Sequence, residues 1–179
     1  MKAQDVLNFW FEELTPEQHF KKDIQLDMEI KRRFYDCHQR IVAGEMDAWR
    51  ETIQGRLAEI IVLDQFSRNM FRGMKDSFAY DNLALILAQE ALKASDLDTL
   101  TTDQTAFLLM PFMHSESKKI HQIALHLFNR PGMETYFDFE KRHADIIEQF
   151  GRYPHRNEIL GRESTAEEEE FLLQPNSSF

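Results

Sequence analysis

The sequence has little cysteine: Cys37 stands alone, mid-helix, among charged residues. Without a partner it closes neither a disulfide nor a thiolate zinc site, and such usage fits a reducing compartment. Long apolar runs are also missing, because 29% of the residues are charged and no uncharged stretch is long enough to cross a bilayer. The opening segment MKAQDVLNFWFEEL has one early lysine, then an acid, and no cleavage pattern of small residues, so it does not read as a secretory signal. Positive charge is in deficit: a net charge of −10 and a pI near 5.2 repel a phosphate backbone and argue against a nucleic-acid binder. There is no HExxH, CxxC, glycine-rich phosphate loop, dinucleotide fingerprint or G-x-S-x-G, so neither a metal nor a cofactor is expected. His121 and His126 are five apart, a spacing that points them in different directions on a helix.

These exclusions leave a cytoplasmic helical protein as the expectation. A chain of 179 residues, 42% apolar and with 15 phenylalanines, suffices for one domain over 1–179 around a single core. Helical periodicity runs almost end to end and no alternation of period two defends a strand, so the class is all-α, with eight or nine helices. The spacing predicts helices over about 4–14, 23–43, 54–71, 76–94, 101–110, 116–129, 136–150, 154–160 and 165–173, with a short helical turn near 46–51. Thr15 and Pro16 end the first, and Gly44, Gly73, Gly151 and Gly161 close others, since a left-handed cap costs glycine little. Pro111 kinks or ends its helix, Ser115 caps the next, and Ser164 or Thr165 with Glu167 or Glu168 forms a capping box. Glutamates 167 to 170 otherwise read as a solvated face.

Polar side chains that stand on apolar stripes carry the functional signal. In LAEIIVLDQFSRNMFRG, a step of 100° per residue puts Asp64 over Leu57, with Arg68 one turn further along. Two readings fit: a self-satisfied i,i+4 ion pair within the bundle, or an Asp64 that orients Arg68, with Asn69 and Arg72, toward a ligand. His143 interrupts the stripe Tyr136, Phe139, Ile146, Ile147 and Phe150, either as a hydrogen-bonded core residue or as a base. MPFMHSESKK leaves His114, Ser115 and Glu116 at a helix junction, where side chains can converge; its S-x-x-K match lacks the companion motifs of serine–lysine enzymes.

The stretch GRYPHRN concentrates Arg152, His155, Arg156 and Asn157 at the head of a short helix, with Arg162 at its far end. Basic residues at a helix N-terminus are unfavourable by about 0.3 to 1 kcal/mol each unless an anion offsets them. That anion is either a protein carboxylate, such as Asp64 or Glu116, or a bound phosphate or carboxylate.

VLNFWF, LDQFSRNMFRG, PFMHSE and above all FGRYPHRNEILGREST make the chain resemble the bacterial domain-of-unknown-function family numbered 924, over about 4–171. The resemblance implies a tetratricopeptide-like fold, a right-handed bundle of helices stacked in antiparallel pairs, and it implies no activity. Ser67 stands where members often carry proline, so a straighter helix is expected just before Arg68.

The leading expectation is a protein that binds a small anionic molecule or the acidic end of a peptide in a polar pocket between helices. Arg68, Asn69, Arg72, Arg152, His155, Arg156, Asn157 and Arg162 supply the cations and donors, and Asp64 holds the arginines in place. The alternatives are an enzyme with His114, His143 or His155 as general base and Glu116 as orienter, and a scaffold whose clusters are internal ion-pair networks.

Overall fold

The computed structural model describes residues 1–94 and 97–179, and every regular element among them is a helix. They divide into two compact units, one of Met1–Arg72 with Asp76–Pro111, the other of Gly73–Lys75 with Phe112–Phe179.

In the first unit, α1 (Ala3–Asn8) widens into a π turn over Phe9–Glu13, which together bury Val6, Leu7, Phe9 and Trp10. Thr15 and Pro16 were expected only to stop that helix. They also start another, α2 (Pro16–Phe20), because proline suits a first helical position and the Gln18 carboxamide accepts from the Thr15 N–H at 2.8 Å. The Asp23 side chain caps α3 (Ile24–Val42), whose inner face of Leu26, Ile30, Phe34, Cys37, His38 and Ile41 follows helical spacing.

After a 3₁₀ turn at Asp47–Glu51, α4 (Ile53–Ile61), a π turn at Val62–Phe66 and α5 (Ser67–Met70) form one continuous run. The expected plain helix before Arg68 is therefore wound wide for five residues, and all five of them are buried. A second 3₁₀ turn, Lys75–Ser77, precedes α6 (Asp81–Ala94), which starts later than the spacing suggests. Next, α7 (Thr102–Met113) continues past Pro111 instead of ending there. The proline lies in the last turn, so its missing N–H removes a single bond near an end that would leave its own carbonyls unpaired anyway.

The second unit is built on α8 (Lys118–Phe128) and α9 (Glu134–Phe150), which pack together. Ser117 flanks α8 in extended conformation, so the expected cap at Ser115 is not the one used, and Glu116 lies outside the helix. Gly151 closes α9 at φ 71°, and a 3₁₀ turn at Pro154–Arg156 leads into α10 (Asn157–Leu160). Thr165 and Glu168 form the expected capping box on α11 (Ala166–Leu172). Ile146, Ile147 and Tyr153 form one buried core cluster of this unit, with Phe150 and Phe171 against it. No helix among the described residues is long and apolar enough to cross a membrane.

Candidate functional site

The first unit's polar cluster begins at Asp64, fully buried in the π turn. The Arg68 guanidinium donates to Asp64 Oδ1 at 3.1 Å and to both carboxylate oxygens of Asp81, at 2.9 and 3.0 Å. Gln65 Nε2 occupies the other Asp64 oxygen at 2.6 Å. Asn69 and Arg72 do not join this pair: they turn to Asp27 in the first turn of α3, which accepts from Asn69 Nδ2 at 2.8 Å and from Arg72 Nε and Nη2 at 2.6 and 2.8 Å. That bidentate bond raises the Arg72 guanidinium above its ordinary range. Sequence reasoning missed Asp27 and Asp81, which no spacing links to Arg72 or Arg68.

The second unit neutralises much of the GRYPHRN surplus. Arg152 is forked onto Glu168 at 2.7 and 2.8 Å, while Asn157 Nδ2 and the Thr165 N–H donate to the same carboxylate at 3.2 and 2.8 Å. Glu168, expected on a solvated face, is buried, and the Arg152 guanidinium holds its carboxyl down at about 2. The capping-box spacing placed Glu168 at the helix start, but it carried no signal that the free oxygen would meet Arg152. Arg162 forks onto Glu116 at 2.7 and 2.9 Å, and the Tyr153 N–H at the head of the short helix donates to Glu116 Oε1 at 2.7 Å. Burial pushes Glu116 up, yet Arg162 and Tyr153 together hold it below the usual carboxylate range. The anion that meets this N–H is Glu116, one of the two protein carboxylates expected. Arg162 Nε also donates to Asn157 Oδ1 at 2.9 Å.

Beside these pairs stands a group of histidines. His143 is buried and donates from Nδ1 to the Phe139 carbonyl at 2.7 Å. Burial drives its pKa down to about 3, and the positive charges that His114, His121 and His155 can carry act in the same direction. The structure thus brings together three residues singled out by sequence, His114, His143 and His155, and adds His121. A ring with a pKa near 3 is a feeble base at neutral pH, which weakens any role of His143 in proton abstraction.

Arg156 is buried, donates from Nη2 to the His114 carbonyl at 3.0 Å and lies over the Tyr153 ring, 4.7 Å from its centroid. On the same tyrosine, the rings of His143 and His155 sit at 5.7 and 5.8 Å, and Phe179 at 5.1 Å.

Deeper in the unit, His121 Nδ1 meets Glu140 Oε1 at 2.7 Å, and its Nε2 meets the Ser115 carbonyl at 2.8 Å and the Tyr153 hydroxyl at 3.1 Å. The Tyr153 hydroxyl gives its own proton to the Met113 carbonyl, so His121 Nε2 must be a donor. Glu140 is fully buried, and its Oε2 has no hydrogen-bond partner among the described residues. Burial raises its carboxyl above the usual range, and the His121 ring opposes that rise. Sequence reasoning missed Glu140, although its place four residues after Tyr136 and three before His143 puts it on the same α9 stripe. Among the described residues, no group of three or more His, Cys, Asp or Glu is arranged to hold a metal ion.

Comparison with known proteins extends over nearly the whole chain. It is similar to a solved protein of unknown function from Agrobacterium tumefaciens at 39% identity and a TM-score of 0.89, covering 95% of this chain and 96% of that one. No curated protein matches. The pattern of the family described as "Bacterial protein of unknown function (DUF924)" matches residues 6–176, and the chain belongs to that family.

Proposed function

We propose that the protein is a cytoplasmic, helical-repeat-like binding protein whose second unit takes a small anionic molecule or the acidic end of a peptide. The observation that carries this reading is the convergence of His114, His143 and His155 with Arg156, in a chain whose overall charge of −10 makes a local store of cations and N–H donors unusual. Arg156, His155 and His114 are the groups proposed to meet the anion. Arg152, Asn157 and Arg162 set the shape of the segment that carries them, through Glu168 and Glu116. Asp64 with Arg68, and Asn69 with Arg72, are proposed to serve the first unit as two separate networks, through Asp81 and Asp27.

A melting-temperature screen with phosphate, sulfate and di- and tricarboxylates tests the proposal. At least one anion should raise the melting temperature of the wild type in a saturable way, and Arg156→Lys, which keeps the charge but loses the fork, should reduce that rise. The competing reading is a scaffold, favoured by the forked carboxylate partners of Arg68, Arg72, Arg152 and Arg162. It is upheld if no anion moves the melting temperature.

A further inference from the structure

Phe179 is an odd occupant of the second unit. Its ring centroid lies 3.8 Å from that of His143, 4.5 Å from His155 and 5.1 Å from Tyr153, so three rings surround it. Edge-on and tilted arrangements like these, at 53°, 67° and 86°, are the ones aromatic quadrupoles prefer. A phenylalanine held by three rings is ordinarily core, yet this one remains 54% exposed.

The segment that delivers it, 173–179, lies outside helix and is exposed except at Ser177. Leu173 is 88% exposed, Asn176 adopts a left-handed backbone at φ 62°, and Ser177 donates to the Leu172 carbonyl at 3.1 Å, within the same segment. The receptacle is firmer than its occupant. Tyr153 is fully buried and pinned through its hydroxyl, His143 is fixed through Nδ1, and Arg156 is stacked on Tyr153. An aromatic slot with two buried, hydrogen-bonded rings, His143 and Tyr153, filled by a half-exposed ring on a non-helical segment, has the construction of a subsite with an exchangeable occupant.

We infer that His143, Tyr153 and His155 form an aromatic subsite, that its ligand is a carboxylate bearing a phenyl-type ring a few bonds from the charge, and that Phe179 competes for the slot. This rests on the anion-binding reading for the charged half of the ligand, which Arg156 and His114 lie beside the slot to meet. The ring half is independent of it. Because the chain's own ring must leave first, apparent affinity is reduced by the fraction of molecules whose slot is already vacant.

The test uses the full chain and its Phe179→Ala variant, with 3-phenylpropionate as probe, acetate as the ring-free control and 3-phenylpropanamide as the charge-free control. Calorimetry should show 3-phenylpropionate binding Phe179→Ala about tenfold more tightly than the wild type, as expected if the resting slot is about nine-tenths filled. Acetate should not distinguish the two proteins. In the histidine ring spectrum, His143 should lose the Phe179 part of its ring-current shift in Phe179→Ala and regain a shift on adding 3-phenylpropionate.

Equal affinity of the probe for both proteins, or binding that leaves His143 unmoved, overturns the aromatic subsite. If sulfate still binds in an Arg156-dependent manner, the anion-binding reading survives that result. Amide binding as tight as the acid, with the Phe179→Ala gain intact, keeps the ring slot and removes the charge requirement. No binding of any probe to Phe179→Ala sinks the slot.

Discussion

Arg152, Asn157 and the Thr165 N–H all donate to Glu168, a residue whose neighbours at 167, 169 and 170 are exposed. Its carboxyl is held down to about 2, so the stability it contributes is present above the ordinary value of 4.5 and is lost as pH falls toward about 2. Glu168→Gln should cost about 2 kcal/mol at neutral pH, because Arg152 loses its fork and a buried group is left half-satisfied. Denaturant melts should show that gap closing between pH 4.5 and 2. Glu140 runs the other way. A carboxyl raised by burial adds stability below its ordinary range and loses it as pH rises through the raised value. Glu140→Gln removes the titration, so the variant should gain on the wild type as pH rises above the ordinary carboxylate range. A difference that does not change with pH would contradict the raised carboxyl. Asp64 and Arg68 were readable as a pair because four residues along a helix bring side chains together. Asp81 and Asp27 were not, since the bonds they make span 13 and 45 residues and only tertiary folding brings them into reach.

At the scale of helices, periodicity placed most of the segments, and the errors lie where a local rule has two outcomes. Thr15–Pro16 is both a stop and a start, Pro111 is tolerated in a last turn, and neither π turn leaves a mark in a pattern that steps by 3.6. Ser115 lost the cap because Ser117, two residues later, precedes the first helical turn, and its position left the Ser115 carbonyl to His121. At the start of α4, Gly55 sits hard against the turn before it. A Cβ on Gly55 would lie 1.9 Å from the Trp49 carbonyl oxygen, so α4 and the 3₁₀ turn before it touch through a glycine at ordinary negative φ. Gly55→Ala usually favours a helix by up to about 1 kcal/mol, but here the clash forces the turn away. We expect a net loss of about 2 to 4 kcal/mol, read from chemical unfolding, where a stabilised variant would contradict the close approach.

Over the whole molecule, the deficit of positive charge proved less informative than where the histidines lie. Five of the seven fall in the second unit, and the two that burial depresses most, His143 at about 3 and His38 at about 4, sit one in each unit. Both must stay neutral to remain buried, so their contribution is full above the ordinary value of 6.5 and drains away as pH falls, by up to about 1.4 kcal/mol per pH unit for each ring. Stability should therefore begin to fall near pH 6.5, before carboxylates protonate. His143→Phe, although weaker at neutral pH, should show a shallower acid slope. The all-helical class was legible in the sequence because periodicity is a local signal. The division of the polar residues into closed ion pairs and a histidine group was not, because it depends on which helices meet.

The account turns on where an anion settles. Histidine ring resonances followed during a sulfate titration, at constant pH and ionic strength, address that most directly. His114 and His155 should move along one saturating curve that Arg156→Lys weakens, while His19 and His38 in the first unit stay still. Shifts that never saturate, or that spread over all seven rings alike, would contradict it.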